Sequence, residues 1–150
     1  MIETSHHGTP FGNIRLRYWP AAGASGEAGS RGGNKAEDKV EAWPTVVLVH
    51  GMFGDVDVWS ATALNLTRAG LSVLAADLPG HGGSTAEVDS AEQAAQAIGA
   101  ALDAWQAVSA QAEATKDGHR LLLVGHSFGA LVATTLAASL EREGRLAGLV

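Results

Sequence analysis

The sequence predicts an α/β protein with a mostly parallel sheet and helices on both of its faces. Short apolar runs at residues 46–49, 71–76 and 121–124 are nearly continuous, which is typical of parallel strands that are buried on both faces. The segments between and after these runs have room for helices. Because strand and helix alternate, we expect right-handed βαβ crossovers that place helices on both sides of the sheet.

An earlier strand is predicted at residues 14–19, ahead of these runs. Apolar and charged side chains alternate there with the period of two that a half-exposed strand shows, and Pro20 ends it. Residues 21–42 are rich in Gly, Ala, Ser and charged side chains, with almost nothing to bury against a core. They are predicted to form a flexible surface insertion, with a regulatory or docking loop as the alternative.

Two helices are predicted between the apolar runs. The first covers residues 58–69 and stops at Gly70. The second is a long, alanine-rich helix over residues 90–114. Ser90 is placed to cap this helix, and Gln93 stands at the position that completes a capping box.

A third helix is predicted after the last apolar run. It covers residues 130–143, and Gly144 follows as its C′ residue. Residues 146–150 begin another buried strand, inside which the sequence ends. The expected organisation is one partial domain over residues 1–150, with a sheet edge left unpaired.

Length, charge and composition exclude several classes of protein. The 150 residues suit one domain, and 10 Lys+Arg against 16 Asp+Glu give a net charge of −6, which excludes a polycationic nucleic-acid clamp. With 46% hydrophobic residues the chain can bury a core. The absence of cysteine excludes a disulfide scaffold, a thiolate zinc site and a cysteine nucleophile. We therefore expect a globular enzyme or binding domain that does not bind nucleic acid.

Targeting and cofactor signals are absent from the sequence. Residues 1–10 contain no apolar segment like that of a signal peptide, and no later apolar run approaches the ~20 residues that span a bilayer. The expected location is the cytoplasm. The six histidines show no paired-ligand spacing with nearby carboxylates, so we expect neither a metal nor an organic cofactor.

The strongest chemical signal is a G-x-S-x-G motif at residues 125–129, directly after the strand LLLV and before a helix. A serine hydroxyl is a weak nucleophile, so it must stand clear of the backbone, beside a base and beside donors for the oxyanion. A sharp strand-to-helix turn presents Ser127 in this way, and it requires small residues at Gly125 and Gly129. The N–H of Phe128 then points toward the serine from the positive end of the helix. The alternative is an incidental glycine-rich turn.

A second motif agrees with the first. The sequence HGMFG at residues 50–54 ends the first buried strand, where a second oxyanion donor is needed, and Gly51 and Gly54 let the backbone bend there. The expected donor is the backbone N–H of Met52. His50 is expected to be a buried residue that shapes this loop rather than a catalytic base.

A third motif, DLPGHGGS at residues 77–84, would alone indicate only a turn. Taken in order, VVLVHGMFGD, AADLPGHGGST and LLLVGHSFGA resemble the N-terminal half of an α/β-hydrolase-fold protein. The resemblance covers residues 11–150 apart from the insertion, and it is specific to the superfamily. It implies an α/β-hydrolase fold truncated after the helix of the nucleophile elbow. It also implies Ser127 as the nucleophile and the N–H groups of Met52 and Phe128 as the oxyanion hole.

The resemblance further implies a chain order of serine, then Asp or Glu, then histidine. No histidine follows Ser127, so the triad base and its acid have no matching position. His81 lies in a loop that is mostly architectural in this family, and His119 should lie at the far end of its strand. His126 is expected to face away from its neighbour Ser127. His50 therefore has the only tolerable position for a base.

The leading hypothesis is serine-nucleophile hydrolysis of an ester, thioester or amide by a parent protein, of which this chain is a fragment with little activity alone. Its expected partner is a small-molecule acyl substrate. One alternative is a non-catalytic relic, or a subunit of the same fold that a partner completes, able to self-associate through the unfinished sheet edge. Another is a lyase, acyltransferase or haloperoxidase-like member, because the fold does not decide the reaction.

Overall fold

A computed structural model describes residues 1–22, 43–109 and 120–150. The described residues form one six-stranded sheet with helices against it. The strands are β1 (Glu3–Thr9), β2 (Gly12–Trp19), β3 (Thr45–Val49), β4 (Val73–Ala76), β5 (Leu121–Gly125) and β6 (Leu146–Leu149). The helices are a short 3₁₀ helix (Val56–Trp59), α1 (Ser60–Arg68), α2 (Ala91–Val108) and α3 (Phe128–Arg142).

The strand order is β1-β2-β4-β3-β5-β6. β2 pairs antiparallel with both β1 and β4, whereas β3 pairs in parallel with β4 and β5, and β5 pairs in parallel with β6. Parallel neighbours need crossover connections, and the helices supply them. The predicted α/β class with a mostly parallel sheet is confirmed.

The core lies on both faces of this sheet. One apolar cluster contains Val47 and Val49 together with buried residues of α2 and α3, and the other contains Val46, Leu48 and the buried Ala63 of α1. Neighbouring side chains on a strand point to opposite faces, and every residue of β3 is buried. This strand therefore lies at the centre of the molecule, and its carboxyl end leads into the candidate site.

β1 is a strand that the sequence analysis did not predict. Its sequence ETSHHGT lacks apolar alternation, and only His7 among its side chains is buried. It is held by a continuous antiparallel register with β2, from Glu3 opposite Tyr18 to Thr9 opposite Gly12. Because backbone hydrogen bonds rather than buried side chains define this strand, hydrophobic periodicity cannot reveal it.

The predicted start of α2 is confirmed, whereas its predicted length is wrong. The backbone N–H of Gln93 donates to the Ser90 hydroxyl at 3.2 Å, and the Gln93 side chain accepts from the N–H of Asp89 at 2.9 Å. The helix ends at Val108, because the next residue has extended backbone. Alanine-rich composition favours helix beyond this point, but propensity does not determine where a helix stops. Residues 110–119 lie outside the described part of the chain.

The other predicted boundaries hold with small changes. The first predicted helix begins earlier, as a 3₁₀ helix, and Gly70 and Gly144 follow their helices in the left-handed conformation, with φ of 92° and 69°. The predicted insertion at residues 21–42 falls almost wholly outside the described residues. None of the helices in the described residues is long and apolar enough to cross a membrane.

Candidate active site

Two residues, His126 and Ser127, separate the end of β5 from the start of α3. Ser127 has φ 56° and ψ −124°, a combination that residues other than glycine rarely adopt. Such a conformation costs about 1–3 kcal/mol, so the surrounding structure has to impose it. The serine is exposed, and within the described residues its hydroxyl makes no capping bond to α3. In residues 125–129, which we call the elbow, the serine is thus strained and its hydroxyl makes no capping hydrogen bond to any residue that the structure describes.

Two glycines make the elbow possible because neighbouring backbone occupies the space of a side chain. A Cβ atom added to Gly129 would lie 2.3 Å from the carbonyl oxygen of His50 and 2.4 Å from that of Val49. A Cβ atom added to Gly125 would lie 2.5 Å from the Cα of Ala130. Both distances are well inside van der Waals contact, so α3 can approach β3 and β5 only where no side chain intervenes.

A second segment meets the elbow directly. Residues 50–55, called the HGMFGD loop below, connect β3 to the 3₁₀ helix. A Cβ atom added to Gly51 would lie 3.0 Å from the Cβ of Ser127 and 3.1 Å from Nδ1 of His126. The His126 N–H also donates to the carbonyl of Val49 at 3.1 Å. The structure therefore brings the two sequence motifs into contact.

The two candidate oxyanion donors belong to these two segments. Phe128 is the first residue of α3, and the first N–H groups of a helix have no partner within it. Met52 is the residue after Gly51 and is 49% exposed, and its N–H takes no part in the hydrogen bonds among the described residues. Phe128 thus follows Ser127 directly in the sequence, and Met52 follows Gly51, whose added Cβ would contact Ser127.

His50 is fully buried, and both of its ring nitrogens are occupied. Nε2 accepts from the backbone N–H of Leu78 at 3.0 Å, so the ring proton resides on Nδ1, which donates to the carbonyl of Gly51 at 2.7 Å. Burial lowers the pKa of His50, which favours this neutral form. The same Gly51 carbonyl accepts from the N–H of Gly54 at 3.2 Å. His50 therefore braces the HGMFGD loop and has no free nitrogen with which to deprotonate a serine.

The other histidines in the described part of the chain are not hydrogen-bonded to the serine either. His81 bonds through Nδ1 with the carbonyl of Pro79 at 2.8 Å. His126 is exposed and lies beside Gly51, yet within the described residues no hydrogen bond joins it to Ser127. His119 lies outside the described part of the chain. The described residues thus contain a candidate nucleophile and two candidate donors, without a general base bonded to the serine.

A buried carboxylate that the sequence analysis did not single out lies beneath this region. Asp77 follows β4, has no exposed surface, and accepts hydrogen bonds from the N–H groups of Val56 and Gly83 and from Nε of Arg15. The bond to Asp77 raises the pKa of Arg15. The available signal was an acidic residue directly after four buried apolar ones, which is an unusual place for an unpaired charge.

The HGMFGD loop and α3 each carry an exposed apolar side chain. Phe53 is 95% exposed and has φ 65°, which is a genuine outlier for a bulky residue. Leu131, one helical turn after Ser127, is 54% exposed.

A separate cavity of about 410 Å³ lies between α2 and α3, lined by residues such as Gly99, Leu136 and Arg145, and it does not reach the elbow. Among the residues that the structure describes, no group of His, Asp or Glu side chains is arranged to hold a metal ion.

Comparisons with known proteins identify the family and the fold. Residues 44–150 match the family described as alpha/beta hydrolase fold. No curated protein matches the chain. Solved structures to which it is similar include a highly thermostable carboxyl esterase from Bacillus coagulans, the thioesterase domain from the curacin biosynthetic pathway, and an epoxide hydrolase from Vigna radiata. Their TM-scores are 0.67, 0.61 and 0.62, with sequence identities of 18%, 24% and 18%.

These three matches cover 99% of this chain but only 43%, 43% and 39% of the other chains. The chain therefore spans less than half the length of these structures. At such low identity the likeness shows the fold alone, and the three names describe different reactions. The fold thus does not choose the reaction.

Proposed function

The chain belongs to the alpha/beta hydrolase fold family, and from this premise we propose that it carries the nucleophile and the oxyanion hole of a serine hydrolase. The family match and the structural neighbours confirm the predicted α/β-hydrolase fold and indicate a hydrolase-type protein. The finer proposal is hydrolysis of an ester, thioester or amide. The observation that carries it is the strained and exposed conformation of Ser127 at the elbow.

In the proposed reaction, Ser127 Oγ forms a bond to the acyl carbon of the substrate while its proton passes to a general base. The carbonyl π electrons move onto oxygen, and the N–H groups of Met52 and Phe128 donate to this oxyanion. Collapse of the intermediate expels an alcohol, thiol or amine, which takes up the proton. Water then attacks the acyl-serine in the same manner and releases the acid, which restores the hydroxyl.

The elbow contributes to this reaction by preorganisation. Because Ser127 is already held at positive φ, its backbone needs no rearrangement before attack, and the two donors belong to the HGMFGD loop and to α3. Each oxyanion donor of this kind contributes about 3–4 kcal/mol of transition-state stabilisation in well-studied hydrolases. The exposed Phe53 and Leu131 suit a substrate with an apolar group beside the reacting carbonyl.

The general base is expected to lie outside the described residues. His50 is unsuitable because both of its nitrogens are already bonded. The order of serine, acid and histidine in this family is consistent with a base later in the protein. We therefore expect the 150-residue chain to react slowly with acylating reagents, since an unassisted serine is a poor nucleophile.

A fluorophosphonate probe tests the proposal on the full chain. The expected result is slow labelling at one site, identified as Ser127 by peptide mass spectrometry and abolished by Ser127→Ala. Ser139→Ala is the matched control, because Ser139 lies on α3 in an ordinary helical turn and bonds to Glu143. Labelling that survives Ser127→Ala, or that spreads evenly over several serines, would contradict the assignment.

A further inference from the structure

Asp77 takes no step in the proposed chemistry, yet it is the most heavily bonded carboxylate in the described residues. A buried carboxylate is costly unless hydrogen bonds and an opposite charge compensate it. Oδ1 accepts from the N–H of Val56 at 2.7 Å, whereas Oδ2 accepts from the N–H of Gly83 at 2.7 Å and from Nε of Arg15 at 2.5 Å. Its partners thus belong to three different segments of the chain.

The bond to Val56 determines how one end of the HGMFGD loop is held. Val56 is the first residue of the 3₁₀ helix, and it follows Asp55, the last residue of the loop. His50 braces the other end through its bonds to Gly51 and Leu78. The loop that carries the Met52 N–H is therefore fixed at both ends by buried side chains, and Asp77 holds the distal end.

Residues 82–84 and Arg15 make further close contacts with Asp77. A Cβ atom added to Gly82, which has φ 53°, would lie 2.2 Å from Oδ2. The Ser84 hydroxyl accepts from the N–H of Arg15 at 2.9 Å and donates to the Asp77 carbonyl at 3.0 Å. The carboxylate is thus packed between β2 and residues 82–84, and these contacts fix the position of the oxygen that accepts from the Val56 N–H.

We propose that Asp77 is a positioning residue for the oxyanion hole, which fixes the HGMFGD loop through the Val56 N–H and has Arg15 as its counter-ion. This inference rests on the proposed function, because the group that it positions is the Met52 donor. Loss of the bond to Val56 lets the loop move relative to the elbow, whereas the elbow itself keeps its own contacts. The effect is therefore local to the loop.

Two variants remove the bond from opposite sides. Asp77→Asn keeps the size of the side chain but leaves one acceptor oxygen for three donors. With that oxygen facing Gly83 and Arg15, its NH₂ group faces the Val56 N–H. Val56→Pro removes the N–H and also replaces the buried side chain by a ring, a change of volume for which Val56→Ala is the control. Proline is tolerated at the first position of a helix, and Asp55 already has the extended conformation, φ −152° and ψ −174°, that a residue before proline prefers. If Asp77→Asn does not fold, Val56→Pro carries the test.

Matched controls remove charge or volume and keep the bond. Asp55→Asn takes away a carboxylate 3.7 Å from Arg15 but can still accept from the N–H of Asp57. Val56→Ala reduces the buried side chain and retains the N–H. We expect both controls to leave the loop as in the wild type, because neither removes a hydrogen bond to Asp77.

The first readout is amide hydrogen exchange followed by NMR, which needs no chemistry at Ser127. In Asp77→Asn and Val56→Pro we expect the Gly54 amide to exchange roughly tenfold faster than in the wild type, with little change at Val47 in β3. A general structural role would instead accelerate both amides together. Wild-type exchange at Gly54 in both variants overturns the proposal.

The second readout is the concentration dependence of fluorophosphonate labelling. A donor that acts on the transition state affects the maximal labelling rate rather than the half-saturating probe concentration. We expect the maximal rate to fall roughly tenfold in both variants and to stay unchanged in both controls. If the wild type is labelled at Ser127 but the maximal rate is unchanged in Asp77→Asn and Val56→Pro, the positioning role is overturned and the serine hydrolase proposal is not. No labelling of Ser127 in the wild type overturns the serine hydrolase proposal, and the positioning role with it.

Discussion

The elbow and the HGMFGD loop lie against each other but are held in different ways. At the elbow, Gly125 and Gly129 let backbone pack on backbone. The loop is held by polar side chains, through the bonds of His50 and Asp77. Steric packing tolerates no added atom, whereas hydrogen bonds can be removed one at a time. We therefore expect one substitution at Gly125 or Gly129 to lower the free energy of unfolding strongly, whereas the loss of one hydrogen bond in the loop should lower it less.

The largest effect is expected from Gly129→Ala. The new Cβ would overlap the carbonyl oxygens of Val49, the last residue of β3, and of His50, the residue after it; both are backbone atoms and cannot rotate away as a side chain can. We expect the free energy of unfolding to fall by about 4 kcal/mol, as measured by urea denaturation. Gly99→Ala is the control, because its Cβ would meet only the end of the Leu136 side chain at 3.2 Å. Similar losses in both variants would contradict a steric role of the elbow.

A smaller but still large effect is expected from His50→Ala. The change leaves the buried N–H of Leu78 without its acceptor, whereas the Gly51 carbonyl keeps its bond from Gly54. We expect a loss of about 2–3 kcal/mol in the free energy of unfolding. His50→Asn, which restores one donor and one acceptor, should recover part of it. Equal stability of the alanine variant and the wild type would show that the loop does not depend on this ring.

The site could be predicted from the sequence only where it is local. Gly125, Ser127 and Gly129 stand within five residues, and the apolar run before them shows that a strand leads into the turn. Asp77 and Arg15 are 62 residues apart, so their pairing depends on β2 lying beside β4, a register that no local pattern specifies. The triad base could not be placed at all, because no histidine follows Ser127 in the sequence.

The same distinction holds for the fold. β3 and β5 could be predicted because burial on both faces leaves an apolar sequence, with Val47 and Leu123 fully buried. β1 could not, because its side chains are mostly polar and its stability depends on pairing with β2. The end of α2 at Val108 was also missed, since the alanine-rich composition of that helix contains no stop signal there. Local sequence patterns thus predict which strands are buried, but they predict strand pairing and the ends of helices poorly.

A moderate effect of pH on the free energy of unfolding is expected from His50, the buried side chain that braces the HGMFGD loop. Burial lowers the pKa of His50 in the folded state below its ordinary value of 6.5. The unfolded state therefore binds the proton more readily, and stability falls as the pH drops below 6.5 toward the folded-state pKa. His50→Asn should flatten this part of the profile of unfolding free energy against pH. Because burial also lowers the pKa of His7, the comparison is best made with His7→Asn as the control variant. An unchanged slope in His50→Asn would contradict the argument.

The smallest effect is expected at a second Arg–Asp pair that joins β2 to the same region. Arg17 pairs with Asp57 on the 3₁₀ helix, and the hydrogen bond from Arg17 lowers the pKa of Asp57. This carboxylate is exposed to solvent, so screening and side-chain entropy cancel most of the attraction. Asp57→Asn should leave both the melting temperature and the hydrogen exchange of the Gly54 amide unchanged, in contrast to Asp77→Asn. If the exposed pair proved as important as the buried one, charge alone rather than burial and backbone bonding would hold the loop.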